Sequence, residues 1–81
     1  MTILLGNIMI TYEKLWETLK EKGLKKQDLV DKYEFSKGLI DNLNHNRSIT
    51  MLTLNDICFK LNIKPDDVIT YIKDENNYNN F

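Results

Sequence analysis

The sequence predicts an all-α domain of five short helices with short strands at its two ends. Three observations predict it. Apolar residues recur at three- and four-residue spacing in four separate stretches, capping residues open several of them, and Gly23 and Asn46 sit where two of them stop. The chain's 81 residues make one small domain, which buries only about 60% of the surface its unfolded chain exposes, so every amphipathic segment must pack. The expected organisation is an extended segment over 1–10, a folded unit over 11–73 and a flexible tail over 74–81.

The first helix is predicted over residues 12–22. Thr11 is placed to cap it, Glu13 stands in its first turn, and Tyr12, Leu15, Trp16 and Leu19 share one face. Gly23 ends it, because glycine readily takes the left-handed conformation, and Leu24 can fold back onto the last turn. A second helix runs from Lys26 to Lys32 with Leu29, Val30 and Tyr33 inward. Ser36 then caps a third, over 36–45, that turns Ile40 and Leu43 inward and closes at Asn46. The fourth follows Thr50 and reaches Leu61, burying Leu54, Ile57, Cys58 and Leu61. Pro65 suits the first position of a fifth, and Asp66 and Asp67 suit the positive end of its dipole.

At the ends, Gly6-Asn7 between two apolar triplets has the composition of a two-residue hairpin turn, and the same residues also fit one extended strand. Either form can meet "DVITYI", residues 67–72, whose β-branched residues favour a strand. An exposed strand edge invites a second copy, so a homodimer is expected through Ile3, Leu5, Ile8, Ile10, Val68, Ile69 and Ile72.

Composition excludes several classes of function. One cysteine rules out an internal disulfide framework, and no Cys/His grouping has metal-ligand spacing, so no metal is expected and a reducing cytoplasm is the natural setting. The single His45 cannot form an acid–base relay, so no enzyme is expected, nor any cofactor or small-molecule ligand. The apolar start lacks a basic leader and is far shorter than the roughly 20 residues of a membrane span.

The window from Lys26 to His45 resembles the helix-turn-helix of Xre/Cro-type repressors. It carries inward apolar residues at Leu29, Val30, Tyr33, Phe35, Ile40 and Leu43, and Ser36 caps the recognition helix. The likeness extends through "MITYEKLWETLKEKGLKKQDL" and "LNDICFKLNIKPDDVITYI", so it covers residues 9–73. It implies a five-helix repressor-like domain that binds double-stranded DNA. Three positions depart from the family pattern. Lys26 stands where a glutamine usually touches the DNA backbone, with Gln27 one place later. Glu34 stands where the turn usually holds glycine, and Val30 where the two helices usually meet at alanine.

A recognition helix enters the major groove with its outward residues on base edges. Those residues are Lys37, Gly38, Asp41 and Asn42, with Leu39 at the flank. Lys37 suits guanine, Asn42 adenine and Asp41 the cytosine amine, while Gly38 lets the helix approach closely. Lys25, Lys26, Gln27, Ser36, Asn44, His45, Asn46 and Arg47 stand at helix ends or in the following loop, where phosphates would lie. The chain's net charge of −1 speaks against strong non-specific binding. Residues 1–47 hold eight Lys and Arg against seven Asp and Glu, and 48–81 hold three against five. Modest, salt-sensitive affinity per monomer is therefore expected, raised by a dimer. The competing reading is a helix-turn-helix fold used as a protein-interaction module or antitoxin-like partner that reads no DNA.

Overall fold

The computed structural model describes residues 10–72. Strand β1 (Ile10–Thr11) leads into α1 (Glu13–Glu21), α2 (Lys26–Asp31), α3 (Lys37–Asn44) and α4 (Met51–Leu61); a 3-10 turn (Pro65–Asp67) then leads to β2 (Thr70–Tyr71). The two strands form an antiparallel pair, with Ile10 opposite Tyr71 and Thr11 opposite Thr70. The expected terminal strands therefore do meet. The expectations for residues 1–9 and 73–81 lie outside the described residues.

Among the described residues there are four α-helices, and the fifth predicted helix is a single 3-10 turn. Its start is as the sequence suggests, since Pro65 opens it and the Asp67 carboxylate accepts the Lys64 N–H at 3.0 Å. It stops after three residues because Val68 is drawn into the core and the β-branched residues beyond it pair as β2. Val68 is 0% exposed. It was expected to face a second copy but is spent inside its own chain.

The start of α1 also differs from expectation. Thr11 belongs to β1, and its buried hydroxyl has no partner among the described residues. The N-cap position falls to Tyr12, whose side chain makes no capping bond. Distant groups satisfy the free N–H groups instead: the Asn46 side-chain oxygen accepts from Tyr12 N–H at 3.2 Å, and Thr70 Oγ1 accepts from Lys14 N–H at 3.2 Å.

Helix ends follow one plan. Gly23 (φ +73°), Asn46 (φ +54°) and Asn62 (φ +58°) each take the left-handed conformation just past a helix. After α1, Leu24 N–H reaches the Leu19 carbonyl at 2.8 Å; after α3, Arg47 N–H reaches Asn42 at 2.8 Å; after α4, Ile63 N–H reaches Cys58 at 2.9 Å. These are the wide bonds of the Schellman motif. Ser36 and Thr50 cap α3 and α4, each accepting a backbone N–H at 3.0 Å.

The core joins Tyr12, Leu15 and Leu19 of the α1 region to Leu29, Phe35, Leu43, Leu54, Ile57, Leu61 and Val68. Trp16, Tyr33, Ile40 and Cys58 pack at its margin and are half-buried. Thr18 is the buried polar residue among the described residues, and it donates to the Asp67 carbonyl at 2.9 Å, tying α1 to the 3-10 turn. Burial pushes the Tyr12 phenol and the Cys58 thiol above their ordinary ranges, and the nearby Asp67 and Asp66 carboxylates add to the Cys58 shift.

Candidate nucleic-acid interface

Three residues, Lys32 to Glu34, separate the end of α2 from Phe35, too few to leave the two helices anywhere but crossed. The turn is made by Glu34 at φ +62°, so the chain accepts the left-handed conformation here without glycine. Phe35 N–H then bonds back to the Leu29 carbonyl at 2.9 Å, and the Phe35 side chain enters the core. Ser36 follows in extended backbone and starts α3.

Crossing in this way, α2 and α3 enclose an open groove of about 330 Å³, lined by Lys26, Gln27, Val30, Lys37, Ile40, Asp41 and Asn44. Residues expected to touch bases and residues expected to touch phosphates thus meet along one concavity. Lys37, Gly38 and Asp41 are exposed, while Asn42 is half-buried. The Lys37 ammonium makes no hydrogen bond or ion pair among the described residues. A Cβ built on Gly38 would meet only the Ser36 hydroxyl, 3.9 Å away. The fold itself therefore does not require glycine at this position.

Lys26 is held rather than loose. Its ammonium donates to Asn44 Oδ1 at 2.6 Å and sits 4.2 Å from the centre of the Trp16 ring. The bond uses the Asn44 oxygen and not its amide nitrogen. Gln27 donates to Asp31 at 3.1 Å, and Lys25 is exposed just before α2, its own N–H bonded to the Asp28 carboxylate at 2.9 Å.

A second cluster closes the far end of α3. Arg47 donates to the Asp41 carboxylate at 2.8 Å and reaches Asn42 Oδ1 at 3.3 Å. His45 Nδ1 lies 2.9 Å from the Asp41 carbonyl and 3.3 Å from its carboxylate, so it faces two acceptors. Asn46 turns its side-chain oxygen toward α1, and Tyr12 OH donates to the Arg47 carbonyl. The loop after α3 is thereby fixed to the body of the domain.

Sequence reasoning missed the support that Trp16 gives Lys26 and the partners of Arg47. Nothing local marks either one. Asn44 is eighteen residues from Lys26, and the Asp41–Arg47 pair spans a helix end. Lys60, on α4, donates to the Tyr33 carbonyl at 3.0 Å and lies 4.7 Å from the Phe35 ring, and so braces the turn from below. Among the described residues no helix is long and apolar enough to cross a membrane.

A family model described as the Cro/C1-type HTH DNA-binding domain matches residues 14–74. The fold is similar to that of a solved protein titled transcriptional regulator VanUg, with a TM-score of 0.74 and 26% identity, over 91% of this chain and 99% of that one. No curated protein sequence matches the chain.

Proposed function

Because the chain belongs to the Cro/C1-type helix-turn-helix DNA-binding domain family, we propose that it is a sequence-specific regulator of transcription, a repressor, that reads the major groove with α3. The observation that carries this reading is the α2–α3 groove, which brings a fixed cation, Lys26, to one lip and the exposed Lys37 and Asp41 to the other. Phosphates are assigned to Lys25, Lys26, Gln27, Ser36, Asn44, His45 and Arg47. Asn46, engaged with Tyr12, shapes the loop that presents them.

Arg47 has a choice of partner. Its pair with Asp41 is more than half exposed on both sides, and such pairs contribute only about 0–1 kcal/mol. A phosphate can therefore draw Arg47 away at small cost. Its departure frees the Asp41 carboxylate for a cytosine amine and Asn42 Oδ1 for the amine of adenine, whose recognition needs both ends of the Asn42 amide.

A second copy raises the affinity in this reading. The exposed Ile10 and Ile72 beside the β1–β2 pair, with half-buried Ile69, support joining at the terminal strands. Ile3, Leu5 and Ile8 lie outside the described residues.

The competing reading, a protein-interaction module, has its own support in Met51, Leu52 and Phe59, which are 72–83% exposed on α4. Selection from a random DNA pool separates the two. The parent should enrich a motif with half-sites about 10 base pairs apart or a multiple of that. Lys37→Ala and Asn42→Ala should each cost about 1–3 kcal/mol on that motif and relax one or two of its positions. Lys26→Ala and Arg47→Ala should weaken all sequences alike and reduce the salt slope by about one counterion each. No enriched motif at low salt would replace the regulator with the interaction module.

A further inference from the structure

Lys26 is the first residue of α2, where the helix dipole opposes a cation instead of holding it. Its ammonium is anchored nonetheless, by Asn44 Oδ1 of α3 at 2.6 Å and by the Trp16 ring of α1, whose centre is 4.2 Å away. Three helices thus converge on one charge. Trp16 is half-buried, with its body packed against the core and a ring face turned to the ammonium.

The choice of partners matters. Asn44 and Trp16 are both neutral, and among the described residues no carboxylate lies within ion-pair reach of Lys26. Arg47 differs, since Asp41 offsets its charge. An indole face attracts a cation through its quadrupole without cancelling the charge. Lys26 therefore keeps its full positive charge at the exposed lip of the groove. An ammonium has three N–H donors, so the bond to Asn44 leaves it able to donate to a phosphate oxygen as well.

We propose that Trp16 is a positioning residue for DNA binding, which seats the Lys26 ammonium for a phosphate and acts on the duplex only through Lys26. A lysine stem has many rotamers, and ordering it at the moment of binding costs affinity. A seat formed in advance removes most of that cost. The assignment rests on the DNA-binding reading above and adds to it a residue of α1 that lines no part of the groove.

The test is a double-mutant cycle of Trp16→Leu and Lys26→Met on the full chain, read as affinity for a mixed-sequence DNA duplex at two salt concentrations. Leucine keeps an apolar body at the core margin and removes the ring. Trp16→Leu alone should bind about 3- to 10-fold more weakly, the loss expected when one long side chain must be ordered on binding. Its salt slope should stay that of the parent, because no charge is lost, whereas Lys26→Met should lower the slope by about one counterion. In the Lys26→Met background the Trp16 change should cost nothing further. Equal losses in both backgrounds would make Trp16 a packing residue only and overturn the proposal. Proton NMR of the parent gives a reading that needs no variant to fold: the Lys26 ε-methylene protons, held over the ring, should be shifted upfield by its ring current. Ordinary shifts for those protons would also overturn the proposal, with DNA binding left standing. A parent that shows the upfield shift but binds no duplex at low salt would sink the DNA-binding reading and the proposal with it.

Discussion

Single residues in this domain separate what the fold needs from what recognition needs. Glu34 carries a left-handed backbone that costs a non-glycine residue about 1–2 kcal/mol. Glycine would remove that strain but add disorder to the unfolded chain, worth roughly 0.5–1 kcal/mol. Glu34→Gly should therefore stabilise the domain by about 0.5–1 kcal/mol, read as a rise in the denaturant midpoint. An unchanged or lowered midpoint would mean that the glutamate side chain contributes a contact that offsets its backbone. Gly38 is the reverse case. It lies in the first turn of α3, where a Cβ would make only an ordinary contact with the Ser36 hydroxyl at 3.9 Å, and helical glycine costs roughly 0.5–1 kcal/mol against alanine. Gly38→Ala should raise stability and yet weaken DNA binding if the helix must approach the bases closely. Two assays moving in opposite directions would mark the position as kept for the groove; equal or improved binding would remove it from the reading surface.

At the scale of elements, α4 shows burial deciding consequence. Ile57 and Phe59 are two residues apart, yet one is 2% and the other 83% exposed. Ile57→Ala should cost about 2–5 kcal/mol, and Phe59→Ser should stay within about 0.5 kcal/mol of the parent; thermal melts of both compare them directly. A large loss for Phe59→Ser would mean that α4 packs against something outside the described residues. The same helix shows what the sequence makes legible. Capping by Ser36 and the stops at Gly23 and Asn46 are written within a turn of the residues concerned, and the structure bears each of them out; Thr50, which the fourth helix was expected to follow, caps it. Asn62 ends α4 by the same device and is equally local, but it falls between the apolar Leu61 and Ile63, which hide the stop in the sequence. The start of α1 was beyond reach, because its N–H groups are satisfied from thirty-four and fifty-six residues away. Length alone misled at Pro65, where a good helix start is followed by a residue the core claims. In the candidate interface the exposed residues of α3 follow from its inward face, whereas the locking of Lys26 and Arg47 follows from tertiary neighbours.

For the whole molecule, the near-neutral charge makes assembly the main lever on affinity. Replacing the exposed Ile10 and Ile72 by serine should give monomers in sedimentation and weaken binding to a two-half-site DNA far more than to a single half-site. Dimers that survive both changes would move the interface elsewhere, with the apolar face of α4 the next place to look. The strand pair itself has a mechanical consequence. Ile10 and Tyr71 form its outermost rung, and both chain directions leave the sheet on the same side. A pull applied to the two ends therefore loads the rungs one after another instead of together, so they part at low force. Parting them takes Thr70 away from Lys14 N–H and leaves that amide of the first turn of α1 without its partner. Under tension the domain should yield from this corner first, while the α2–α3 crossing, which neither end pulls on directly, keeps its shape the longest.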